Sequence, residues 1–208
     1  MRCFEWILLG CLGVAPGMVA AADAVVPDAS TAWRDFLAKG TADDVNAAIS
    51  AIDAVGYDGE GVDAAKCRES AAKLASARDR VRVSIVLQRA ALLCAESTGD
   101  GAAAEDANRW LAALARHALA ESDRGAWPRP VRIVLPGDAP ALFASAGMVV
   151  RYEMFMQYHP SPYFPFVVAA APRDGGTEKL LRFDYIDTLA QVDRGARAHG
   201  TPRLAMSH

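Results

Sequence analysis

At Trp127-Pro128-Arg129-Pro130 the chain changes character, and that change limits the folds open to it. Before this point the sequence is rich in alanine, and its apolar residues recur every three or four positions. After it, β-branched and aromatic residues take over and alternate with polar ones. Helices first and strands second make an α+β fold, or two packed subdomains, rather than a parallel sheet built from βαβ units.

Upstream of the switch, Ser30 and Thr31 offer N-caps for a helix carrying Trp33, Phe36 and Leu37, which Gly40 stops. Thr41 caps a second helix with Asp43 and Asp44 in its first turn, where acidic groups suit the helix dipole. Gly56 ends it. Tyr57-Asp58-Gly59-Glu60-Gly61 reads as a turn. Its acidic residues lack the alternating pattern and closing glutamate of a calcium loop. Helices are predicted over 62–77 and 81–96, either separate or as one helix bent near Asp79. The second is apolar over more than half its circumference, as a buried helix is. A fifth, over 104–122, sets Ala107, Trp110, Leu111, Leu114 and Ala118 on one face.

Downstream, 131–135 reads as a strand and 139–146 as a short helix ended by Gly147. Residues 148–158 alternate: Met148, Val150, Tyr152, Met154, Met156 and Tyr158 face one way, and Arg151, Glu153 and Gln157 the other. Residues 164–171 are apolar on both faces, as in a central strand. Asp174-Gly175-Gly176 is a hairpin signal, and 179–186 alternates again. A last helix covers 187–194. The expected architecture is α+β: an N-terminal bundle of about five helices, then a small antiparallel meander with one earlier strand, then a short C-terminal helix. A helix from the N-terminal half is expected over the face carrying Tyr152, Met154 and Phe183. The expected divisions are a signal segment at 1–22, a helical subdomain at 23–126, an antiparallel β subdomain at 127–195 and a loose tail at 196–208. No repeat of fixed period is present.

The first two dozen residues have the three parts of a secretory signal: a charge at Arg2, an apolar run from Trp6 to Val19, and small residues at Ala20-Ala21-Ala22. Cleavage is expected after Ala22 or Ala24. Gly10, Gly13, Pro16 and Gly17 interrupt the run, which argues against a membrane span. Leu8-Leu9-Gly10-Cys11 also has the form of a lipoprotein box, but it stands too near the N-terminus for a usual signal. The expected compartment is periplasmic or extracellular. Of four cysteines, Cys3 and Cys11 leave with the signal, so Cys67 and Cys94 remain. An even count in an oxidising compartment reads as a disulfide. Both thiols lie on the apolar stripes of their helices. Two cysteines without a neighbouring histidine fall short of a zinc site.

The net charge of −3 argues against a nucleic-acid partner, which needs a clustered basic surface. No phosphate loop, metal cluster or nucleophile elbow occurs, and no cofactor is expected. His199 and His208 lie in the tail, and His117 reads as a boundary residue of the fifth helix. His159 precedes a proline at a strand end, where an imidazole with Glu153 or Asp184 would suit a small hydrolase. Arg151 and Arg182 beside Glu153 and Asp184 instead suggest cross-strand ion pairs. The reading that accounts for most features is an exported, non-catalytic protein that binds another envelope protein, as an immunity or inhibitor protein would. Its expected surface contains Arg151, Glu153, Gln157, Tyr158, His159, Tyr163, Phe164, Arg182 and Asp184. A structural envelope protein is the third possibility.

Overall fold

A computed structural model describes residues 27–122, 130–155 and 166–198. The helices are α1 (Ala29–Lys39), α2 (Ala42–Ala54), α3 (Ala64–Glu69), α4 (Ala71–Arg80), α5 (Ile85–Thr98), α6 (Gly101–Ser122), α7 (Asp138–Ser145) and α8 (Ile186–Ala198). The strands are β1 (Val131–Arg132), β2 (Met148–Phe155), β3 (Phe166–Pro172) and β4 (Lys179–Asp184). The order is that of an α+β fold, with most helices before the sheet and one after it. The expected signal segment, the expected 196–208 tail beyond Ala198 and the 156–165 connection lie outside the described residues.

Local chemistry sets the helix ends. Thr41 and Asp44 form a reciprocal capping box on α2, as the sequence suggests. The cap of α1 is Asp28 rather than Ser30 or Thr31. Its carboxylate accepts Thr31 N–H at 2.9 Å and the Thr31 hydroxyl at 2.6 Å. The helix expected over 62–77 divides at Ser70, which ends α3 and starts α4 while its hydroxyl reaches the Ala54 carbonyl of α2. The next helix begins at Ile85, later than expected, because Ser84 is its N-cap.

The sheet runs β1-β4-β3-β2. Strands β2, β3 and β4 form the expected antiparallel meander, but β1 pairs parallel to β4, so the sheet is mixed. β1 is also shorter than the expected 131–135. The Val134 and Leu135 N–H groups turn inward to a side chain instead of continuing the ladder.

β2 departs furthest from its sequence pattern. A bulge at Arg151 breaks its register, so Val150 opposes Ala170 while Tyr152 opposes Ala169. Met148 and Val150 pack on the core face as expected. Beyond the bulge the parity is reversed. Tyr152 shares the outer face with Leu180, and Glu153 shares the inner face with Val168 and Leu181. The expected single face carrying Tyr152, Met154 and Phe183 is therefore not formed. Phe183 is fully buried on the inner face, where Phe143 of α7 meets it edge-on at 6.0 Å between ring centroids. The helix over that face is α7, from the C-terminal half, with α5 and α6 packed behind it.

One buried cluster runs through both halves, from Trp33 and Phe36 of α1 through Leu87 of α5 and Leu114 of α6 to Phe143, Val168 and Phe183. Two features pin it. The first is the Cys67–Cys94 disulfide, which joins α3 to α5 with a Cα–Cα distance of 5.3 Å and both cysteines buried. The second is Asp138, whose carboxylate has no solvent exposure and accepts four hydrogen bonds. Ser84 Oγ and Val86 N–H donate to Oδ1, each at 2.8 Å. Val134 and Leu135 N–H donate to Oδ2 at 2.9 and 3.0 Å.

Two predictions follow from these links. Closing a loop of 27 residues stabilises a fold by roughly 3–4 kcal/mol in the chain-entropy model. Cys67→Ser with Cys94→Ser should therefore lower Tm by about 10 °C, measured by circular dichroism. An unchanged Tm would mean that the bridge contributes nothing. For Asp138, burial pushes the carboxyl above the usual carboxylate range, against the pull of Val86, Leu135, Ser84 and Val134. A raised folded value means that this group supports folding most below its unfolded pKa of about 3.9 and loses that support as pH rises through the folded value. Asp138→Asn removes the titration, and in either amide orientation it leaves at least one buried N–H facing an NH2 group. Denaturant unfolding should show a loss of about 1–3 kcal/mol, largest on the acid side. A loss that instead grew with pH would contradict the assignment.

Candidate functional site

The bulge at Arg151 builds the most distinctive surface. On the outer face, Tyr152 of β2, Ala169 of β3 and Leu180 of β4 stand in one cross-strand row. Tyr152 is 44% exposed and Leu180 57%, while Ala169 between them is fully buried. The exposed apolar groups of the row are thus Tyr152 and Leu180, on either side of a buried alanine. Val167 and Arg182 occupy the next row, and Asp184 follows on the same face of β4, opposite Arg132 in register. Arg151 is exposed at the bulge itself. The result is an apolar centre with charges of both signs around it.

The expected surface residues distribute unevenly over this frame. Arg151 and Glu153 are exposed, and Arg182 and Asp184 are half-buried. Arg182 and Asp184 belong to the outer face. Glu153 falls on the other face, with β3 between its strand and theirs, so Glu153 and Asp184 do not form a carboxylate pair. Gln157, Tyr158, His159, Tyr163 and Phe164 lie outside the described residues. Leu180 was legible as a member of the Arg182 and Asp184 face, but an apolar residue on a polar face carries no signal until its neighbours are known. Tyr152 was assigned to the core by alternation, which a bulge defeats.

A groove of about 480 Å3 lies between α1, α2, α4 and α6. Its charges are largely paired within the protein. Arg82 binds Asp79 at 2.7 Å and lies 5.7 Å from the Trp110 ring centre, and Lys39 pairs with Asp35 at 3.5 Å. An adjoining pocket of about 190 Å3 holds Arg78, which donates to Gln88 Oε1 and to Asp106, each at 2.9 Å. Gln88 is fully buried and donates in turn to the Arg82 carbonyl at 3.0 Å. This network fastens α4 and α6 to α5. It accounts for the groove's polar lining as structure.

Among the described residues no group of three or more His, Cys, Asp or Glu side chains could hold a metal ion, and no helix is long and apolar enough to cross a membrane. Comparison with protein-family models, curated proteins and solved structures returns no match. The functional reading therefore rests on the surface itself.

Proposed function

We propose that this chain is an exported, non-catalytic binding protein whose outer sheet face meets another protein of the cell envelope, with an immunity or inhibitor role against a toxin or hydrolase as its concrete form. The observation that carries the reading is the row Tyr152–Ala169–Leu180, with its two exposed apolar side chains. An exposed tyrosine beside an exposed leucine, with charge around them, is a composition common at protein-binding surfaces. A partner that fits has apolar groups to meet Tyr152 and Leu180 and acidic groups for Arg151. The buried disulfide and the signal-like first two dozen residues support an oxidising compartment.

Two measurements test the proposal. The full chain, expressed in a bacterium, should reach the periplasmic fraction with a mature N-terminus at Asp23 or Val25, read by terminal sequencing. Retention in the cytosol with Met1 intact would refute export. Tyr152→Ser with Leu180→Ser should leave the thermal unfolding curve nearly unchanged, since both side chains are exposed. The same variant should lose an envelope partner that the wild-type protein retains, weakened roughly tenfold or more as for a central interface residue. A partner held equally well by both proteins would place the interface elsewhere.

A further inference from the structure

Another cleft, about 290 Å3, opens where α1 and the C-terminal part of α6 meet the start of β1. Arg34, Arg132, His117 and Ser30 line it, over a floor that includes Trp33 and Leu37. Its lining holds no carboxylate among the described residues. That is unusual in a chain with 25 acidic and 22 basic residues. Four arginines elsewhere are ion-paired: Arg78 with Asp106, Arg80 with Asp44, Arg82 with Asp79, and Arg109 with Glu105 and Asp106. In the cleft, Arg132 forms no ion pair among the described residues.

Arg34 is oriented by a hydroxyl, with the Asp28 carboxylate close enough to act on it through space. Its Nη2 donates to Thr31 Oγ1 at 2.7 Å, and Thr31 Oγ1 donates on to Asp28 Oδ2. A guanidinium carries five N–H donors, so one such bond leaves the fork free to bind. Among the described side chains, Asp28 and Asp184 stand nearby and temper the field. Asp28 reaches Arg34 through Thr31, and its oxygens are already occupied by the Thr31 N–H and hydroxyl. Asp184 lies opposite Arg132 in the strand register. Neither lines the cleft.

We propose that this cleft binds a phosphate monoester with an apolar body. Two guanidiniums, an imidazole and a hydroxyl supply more donors than one carboxylate can use. They suit the three terminal oxygens of a phosphate, which arginine forks bind in bidentate fashion. Trp33 and Leu37 give the ester's carbon portion an apolar wall. The volume admits one ring or a short chain and little more. The phosphate can belong to a soluble ester or to a lipid headgroup, and the two sources are separable by experiment. This site borders the outer sheet face through Arg132, the register partner of Asp184, and does not depend on the function proposed for the Tyr152–Leu180 row.

The test uses the full chain with phenyl phosphate, benzyl alcohol, and phosphatidylcholine vesicles with and without phosphatidic acid. Titration calorimetry should show saturable binding of phenyl phosphate and none of benzyl alcohol. Arg34→Gln and Arg132→Gln should each weaken it roughly tenfold or more, the loss of one charge-assisted hydrogen bond. Arg116→Gln, an exposed change on α6 outside the cleft, should leave binding intact. Binding of phenyl phosphate alone assigns a soluble ester. Additional binding to phosphatidic acid vesicles, sensitive to the same two changes, assigns a headgroup. Failure of both phosphate probes, or binding indifferent to Arg34 and Arg132, overturns the proposal.

Discussion

A single buried carboxylate joins the helical and strand-bearing halves of this protein. Asp138 opens α7, yet two of its four donors come from the start of α5. The other two close the turn after β1. Taking an isolated carboxylate out of water is very costly, and it is tolerated only where donors converge on it. Those donors converge only when α5, the turn and α7 are all in their native places. The same contact brings backbone close to helix: a Cβ added at Gly137 would lie 3.4 Å from Val86 Cγ2. α7 is thereby pressed between α5 and the inner sheet face, where Phe143 meets Phe183.

α5 is held from three directions, which explains why it is so deeply buried. Asp138 fixes its N-terminus, Gln88 ties its middle to Arg78 and the Arg82 carbonyl, and Cys94 binds its later turns to α3. The three links differ in physics: a buried carboxyl group with four donors, a buried amide satisfied at both ends, and a covalent bond. A buried amide with both its oxygen and nitrogen engaged avoids the cost of an orphaned polar group. The polar residues in the core thus act as connections between elements.

The sequence showed the element types because periodicity is local, and it showed the capping box of α2 because Thr41 and Asp44 are three residues apart. The disulfide was legible too, from the count of cysteines and the stripes they share. What escaped was non-local. Asp138 reads as a turn residue until Ser84 and Val86, more than 50 positions earlier, are brought against it. β1 stops early for the same reason. Its parallel partner could not be read from two residues, Val131 and Arg132, whose neighbour is fixed by the path of the chain around α7. Arg34 and Arg132 lie far apart in sequence and converge only through the packing of α1 and β1 on α6.

The bulge in β2 is the clearest case of tertiary structure overruling a sequence pattern. Alternation through Met148, Val150 and Tyr152 is regular, and a strand obeying it would place Tyr152 inside and Glu153 outside. The extra residue at Arg151 exchanges them. Glu153 on the inner face would be costly if it met the core, but β2 is the outer strand of the sheet and Glu153 remains exposed. Arg151, the unpaired residue, is charged and also exposed, and a bulge with a charge discourages another strand from pairing at that edge. The same distortion thus protects the edge and turns Tyr152 outward beside Leu180. An aromatic held there by a register shift, rather than by alternation, has a surface position that core packing does not explain.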